Sequence, residues 1–205
     1  MSAEQHWKNV YATKASTAVS WYAPHLARSL QLIETAAPDH AARIIDVGGG
    51  ASTLVDDLLE SGYPDVTVLD LSEEALETAR VRVGARGSSV TWQAADVTTS
   101  AFPEAHYDVW HDRAVFHFLT DPEQRRRYVA QVVRAVKPGG HVIVATFGLE
   151  GPDRCSGLDV VRYDADGLRA EFGSPFQKIG DARETHITPW GSEQEFVYCY
   201  CLKLG

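Results

Sequence analysis

Three aspartates stand where strand-like apolar runs give out: Asp46 in IIDVGGG, Asp70 in VTVLDLS and Asp96 in QAADV. Directly after Asp46 come three consecutive glycines, Gly48, Gly49 and Gly50. Where a strand tip turns straight into a helix, glycine allows unusual dihedrals and close approach of a ligand to the backbone. The helix N-terminus adds unpaired N–H groups. A nucleotide-like ligand fits that turn. A dinucleotide fingerprint, G-x-G-x-x-G, fails at its last glycine, where Thr53 stands. The acid at Asp46 suits a cationic ligand group instead, which a pyrophosphate lacks. Asp70, twenty residues past Gly50, is spaced to accept both hydroxyls of a ribose, a feature shared by adenosine-type ligands. Asp96 could accept an adenine amino group. Each aspartate has an alternative use as a helix cap or turn residue.

A fourth apolar run ends in WHDRAVFHF and directs His111, Asp112 and Arg113 at the same end of the sheet. His111 or His117 could take a proton near neutral pH, and Asp112 could orient an amine. The alternatives are structural: Asp112 paired with Arg113 or capping a turn, and His117 as a core residue between two phenylalanines.

The elements that must position these groups are legible from periodicity. From about residue 42, RIIDVG, VTVLDL, SVTWQAADV, YDVWHD and HVIVATFG alternate with the helical LVDDLLESG, SEEALETARVRV and PEQRRRYVAQVVRAV. That alternation predicts a single doubly wound α/β domain, with a mostly parallel sheet covered on both faces. VKPGG places a turn between the long helix and the next strand. PFQKIGDARETHITP and SEQEFVYCYCLKL predict an antiparallel edge hairpin around Pro-Trp-Gly-Ser. Residues 5–36 read as one or two helices carrying Trp7, Tyr11, Trp21 and Tyr22. Trp7 and Tyr11 are expected to glue a helix to the sheet, and Trp21 and Tyr22, just before a proline, to form a lid. FGLEGPDRCSGLDVVRY reads as an irregular loop, and its Cys155, after the fifth strand, could touch a substrate.

Composition narrows the function class. The chain has 205 residues and a formal net charge of −9, which disfavours phosphate backbones. The lone basic cluster, Arg125 to Arg127, reads as a solvated helix face, so nucleic acid is not an expected partner. No run of about eighteen apolar residues is present, so no membrane partner is expected, and MSAEQHWKNVY lacks a secretory pattern. A cytoplasmic monomer or weak homodimer is the expectation. Cys155, Cys199 and Cys201 are too few for a disulfide framework and lack zinc-site spacing, so no metal is expected.

Taken together, DVGGG, the acids Asp70 and Asp96, the YDVWHD strand and VKPGG resemble the class I S-adenosylmethionine-dependent methyltransferases, most strongly over residues 40–147. That resemblance implies a Rossmann-like fold with a seven-stranded sheet, a helical lid over residues 1–40 and a methyltransferase domain over 41–205. It implies S-adenosyl-L-methionine as cofactor. Asp46, Gly48, Gly49, Gly50 and Ser52 would lie by its amino acid part, Asp70 and Leu71 by the ribose, Asp96 and Val97 by the adenine, and Trp21 over the sulfonium. His111 and Asp112 become the expected catalytic residues, and Tyr22, Arg113, His117 and Cys155 the expected substrate contacts. A small-molecule acceptor is the first expectation and a protein lysine the alternative. A non-catalytic adenosine-ligand binder and an NAD-dependent dehydrogenase stand behind them.

Overall fold

The computed structural model describes residues 2–205. Its N-terminal segment holds helix α1 (Ala3–Thr13), a short 3-10 turn (Ser16–Ala18) and helix α2 (Ala27–Ala36). The alternating region follows as β1 (Arg43–Val47), α3 (Leu54–Glu60), β2 (Asp65–Asp70), α4 (Glu73–Val83), β3 (Thr91–Ala94), β4 (Tyr107–Arg113), α5 (Pro122–Ala135) and β5 (Val136–Phe147). Then come the short strands β6 (Arg154–Cys155) and β7 (Leu158–Asp159), helix α6 (Ala165–Phe172), and the long strands β8 (Phe176–Ile187) and β9 (Glu193–Lys203).

Seven strands form one sheet in the order β3-β2-β1-β4-β5-β9-β8. β1 through β5 pair in parallel, and β9 and β8 run antiparallel at one end. The alternation of short apolar runs with amphipathic ones dictates this arrangement, because strands buried on both faces need helices on both sides. One face packs Ile44, Val66, Val68, Val109 and Ile143 against Ile33 of α2, Leu58 of α3 and Leu76 of α4. The other packs Ile45, Trp110, Val142 and Val144 against Tyr128 and Val132 of α5 and Leu168 and Phe172 of α6. Local signals fix where helices begin. Ser72 caps α4 by accepting from Ala75 N (3.2 Å), and Asp121 caps α5 ahead of Pro122.

The chain leaves β1 for β2 and β3 on one side and returns to β4 on the other. Such a reversal opens a crevice beyond the carboxyl ends of β1 and β4. Asp46, the glycines and the end of β4 all sit there.

Four details differ from the sequence reading. β3 ends at Ala94, so Asp96 stands two residues beyond the strand. The VKPGG turn is drawn into β5: Val136 pairs with Tyr107, and the register slips before Val109, with Gly139 at φ +76°. The loop after β5 carries the hairpin β6–β7, whose Cys155 pairs with Leu158. Helix α6 is not announced by the pattern above. Among the described residues no helix is long and apolar enough to cross a membrane.

Candidate active site at the carboxyl end of the sheet

The glycine loop is built for contact with something other than itself. Gly48 (φ +71°) and Gly50 (φ +34°) have left-handed backbone, and the N–H of Gly48 donates to Leu69 O at 2.7 Å, tying β1's tip to β2's. A Cβ at Gly49 would lie 2.6 Å from Asp46 Oδ2, and one at Gly50 would lie 2.5 Å from Asp70 Oδ2. Both carboxylates therefore hang over the loop, and only glycine leaves room for them. At Gly48 a Cβ would collide with the side chain of Val115. A side chain there collides with the protein itself as well as crowding any ligand.

Around this loop lie two connected spaces that share Tyr11, Trp21, Gly48 and Arg113 as lining residues. The smaller, about 40 Å³, is lined by Asp46, Gly49, Ser52 and Tyr22, with His111 behind them. The larger, about 450 Å³, runs past Asp70, Leu71, Asp96 and Val97 to Phe118, Cys155 and Leu158. Its roof comes from the N-terminal segment: Trp7 stands edge-on to Trp21 (centroids 5.6 Å) and Phe118 (5.1 Å), and Tyr11 edge-on to Trp21 (6.3 Å). Trp7 and Tyr11 are thus cleft residues, not sheet glue, because α1 lies along α4, where Lys8 meets Glu74 at 3.3 Å. Two anchors hold the segment in place: Thr53 Oγ1 donates to Ala23 O (2.9 Å), and His186 Nε2 donates to Ser20 O (2.7 Å).

Asp70 is 8% exposed. Its Oδ1 accepts from Ser72 N at 2.8 Å, leaving Oδ2 toward the loop. Burial drives its pKa up; the Ser72 N–H pulls it back and the Asp46 carboxylate adds to the rise, leaving it at about 7. Burial, and then the neighbouring Asp70, raise the phenol of Tyr11. Asp96 is exposed, and its Oδ1 accepts from Thr98 N and Oγ1, both at 2.7 Å. That is an Asx-type turn, and Asp96 lines the same cleft.

The end of β4 corrects the catalytic expectations. His111 is fully buried, with Nδ1 2.7 Å from Asp46 Oδ1 and Nε2 2.9 Å from Ser29 Oγ. Neither nitrogen is left to take a substrate proton. Asp112 points to the opposite face of the sheet, as its neighbour in a strand must. There it accepts from Val115 N (2.9 Å), Phe116 N (3.1 Å) and Tyr128 OH (2.6 Å), so it caps the turn after β4, on the face away from His111. Burial raises its pKa to about 6 against the pull of Tyr128 and the two N–H donors. His117 is a buried residue outside the lining of the cleft, with its Nε2 unpartnered among the described residues. Its Nδ1 accepts from Phe147 N (3.3 Å) between the rings of Phe118 and Phe147, and burial together with Arg113 lowers its pKa to about 3.

Arg113 remains on the cleft wall, but its guanidinium is committed elsewhere. It stacks over Phe196 (4.1 Å) and donates to Tyr198 OH (3.2 Å) and Glu184 (3.3 Å). Cys155 lines the cleft as a protonated thiol, since burial raises its pKa to about 11 despite a hydrogen bond with Ser20. Sequence reasoning missed Ser29, Tyr198 and Phe118. Nothing local marks Ser29 or Tyr198, whose partners lie 82 and 85 positions away.

The arrangement suits a ligand with a nucleoside part along Asp70 and Asp96 and a small cationic end over Asp46 and the glycines. Beyond it, under the aromatic roof, the cleft continues past Phe118, Cys155 and Leu158. A family profile described as a methyltransferase domain matches residues 44–140. A mouse (Mus musculus) eEF1A lysine and N-terminal methyltransferase is 28% identical over 144 residues, covering 67% of this chain and 20% of that protein. A ubiquinone biosynthesis O-methyltransferase of Thiobacillus denitrificans is 32% identical over 121 residues, covering 58% of this chain and 50% of that protein. The chain thus spans a fifth to a half of the length of these two curated relatives. A solved structure described for the conversion of a disulfide bond into a thioacetal group during echinomycin biosynthesis shares the fold. It superposes with a TM-score of 0.81 at 18% identity, covering 99% of this chain and 93% of that chain.

Proposed function

We propose that this chain, whose residues 44–140 match a methyltransferase domain, is a class I S-adenosyl-L-methionine-dependent methyltransferase that transfers a methyl group from that cofactor to a small molecule held under the aromatic roof. The cofactor supplies the electrophile, a methyl group on a sulfonium. In this reading Asp46, Gly48 to Gly50 and Ser52 hold its amino acid part, Asp70 and Leu71 the ribose, and Asp96 and Val97 the adenine. Tyr11 and Trp21 cover the reacting centre. Residues 1–40 act as the lid.

The observation that carries the choice of acceptor is the aromatic roof of the cleft. Trp7, Tyr11, Trp21 and Phe118 pack edge to face along one side of a cleft of about 450 Å³, which the cofactor's nucleoside would share, and that apolar side suits a compact apolar or aromatic acceptor. With His111 and Asp112 committed to internal hydrogen bonds and His117 outside the cleft lining, the chain contributes positioning and desolvation, and the acceptor arrives as its own nucleophile. We place the reaction in the cytoplasm, with no nucleic acid partner. The similarity to a lysine and N-terminal methyltransferase favours a second reading, a protein side chain as acceptor.

Transfer of a radiolabelled methyl group into a cell extract split by size tests both. Label in the small-molecule fraction supports the first reading, and label in the protein fraction supports the second. Heat stabilisation by a nicotinamide cofactor but not by S-adenosylhomocysteine would overturn both and leave the dehydrogenase.

A further inference from the structure

Behind the glycine loop runs an unbroken line of buried polar side chains that no sequence motif describes. It starts at Asp46 on β1 and passes through His111 on β4 (2.7 Å) and Ser29 on α2 (2.9 Å). It continues to Tyr198 on β9 (3.3 Å), which donates to Glu184 on β8 (2.6 Å) and accepts from Arg113 (3.2 Å). Ser29 and His111 are completely inaccessible, and Asp46 is 3% exposed. Buried polar groups cost stability unless paired, and an apolar residue at position 111 would match Val109, its neighbour on that face. A structural role alone does not explain why a histidine with two opposed partners stands here.

We propose that His111 is a positioning residue that sets the Asp46 carboxylate for the ammonium of an amino-acid-bearing nucleoside, with Ser29 locking the ring from behind. This rests on the cofactor reading above. A carboxylate only accepts, so Nδ1 of His111 donates to Asp46 Oδ1 and occupies that oxygen. The other oxygen, Oδ2, is thereby turned toward Gly49, where it would touch a Cβ at 2.6 Å, and toward the small pocket that Asp46 lines. Without the imidazole, the carboxylate is free to rotate about its side-chain torsions, and its aim at the pocket is lost. Ser29 fills the same purpose one step out: its hydroxyl meets Nε2, so the ring cannot flip or tilt without breaking a buried hydrogen bond. The arrangement also joins α2 of the lid segment, the glycine loop and the C-terminal hairpin in one network. The cationic end of the ligand is thus read by residues from four strands and a helix.

The test compares two ligands by calorimetry: S-adenosylhomocysteine, which carries the amino acid part, and 5′-methylthioadenosine, which has the same nucleoside and thioether without it. His111→Leu is expected to weaken S-adenosylhomocysteine about 10-fold or more, the usual worth of one hydrogen bond to a charged group. Methylthioadenosine should change by less than about threefold. His111→Asn, whose amide can replace the Nδ1 donor, is expected to restore most of the S-adenosylhomocysteine affinity. Ser29→Ala, a milder change, should shift the same ligand in the same direction by a smaller factor, which keeps the proposal testable if the Leu variant does not fold. Equal loss of both ligands in the Leu or Ala variant, no loss of either, or failure of Asn to rescue overturns the positioning role. Wild-type protein that binds neither ligand overturns the cofactor reading itself, and this inference with it.

Discussion

In the proposed reading the carboxyl of Asp70 holds the ligand's nucleoside part, and its burial makes that dependence visible in pH. Its folded pKa, about 7, lies above the ordinary carboxylate value. The free protein therefore gains stability from this group below the ordinary value and loses it as pH rises through about 7. Ribose hydroxyls donate to the ionised form, so cofactor affinity moves the opposite way. It should rise about tenfold per pH unit up to about 7 and then level off. Titrations with S-adenosylhomocysteine between about pH 5.5 and 8.5 check this, and Asp70→Asn should give a flat profile weaker at pH 8 by about 1.5–3 kcal/mol. Asp112 behaves differently, although it lies one residue from His111. Asp112→Ala strands two N–H donors and the hydroxyl of Tyr128 in the core. It should cost about 2–4 kcal/mol in denaturant unfolding. Cofactor affinity in the folded variant should stay within about twofold of wild type, because Asp112 faces away from the cleft. A large affinity loss at full stability would reverse the assignment.

At the scale of elements, the cleft is a product of α1 and α2 closing over strand tips. α1 places only Val10 in the buried class, yet it supplies Trp7 and Tyr11 to the roof. Trp7 belongs to the wide cleft alone, between Trp21 and Phe118. Trp7→Ala is therefore expected to lower methyl transfer into the small-molecule fraction by about tenfold through lost enclosure. The melting temperature should fall by only a few degrees, since an edge-to-face pair is worth about 0.5–1.5 kcal/mol. Transfer unchanged in this variant would show that the acceptor does not sit beneath the roof. The hairpin β6–β7 is the matching floor element: two residues per strand suffice to bring Cys155 and Leu158 to the cleft.

Across the whole molecule, one sheet carries both cores, and the N-terminal segment is stitched to it from several sides. Thr53 to Ala23, His186 to Ser20 and His111 to Ser29 each cross from the domain to residues 20–29. Denaturant unfolding followed by tryptophan fluorescence and by circular dichroism should give one coincident transition. An early, separate loss of tryptophan signal would mean that residues 1–40 come away as an independent unit. Sedimentation at low micromolar concentration should show monomer or a weakly self-associating species, in keeping with the acidic surface of a chain of net charge −9.

Sequence alone determined the sheet, its helices and the ends at which a ligand would meet them. Hydrophobic periodicity and glycine placement are local properties, and IIDVGGG, VTVLDL and HVIVATF carry them without reference to the rest of the chain. The hairpin β8–β9 was equally legible from two long runs around Gly191. The roles of the polar residues at the end of β4 were decided only by the tertiary structure. Strand alternation shows that His111 and Asp112 face opposite ways, but not which one meets the cleft, nor that Ser29 and Asp46 would take both imidazole nitrogens. A histidine's chemistry depends on what occupies its two nitrogens. Those partners come from α2 and β1, 82 and 65 positions away, a distance over which composition and periodicity carry no information.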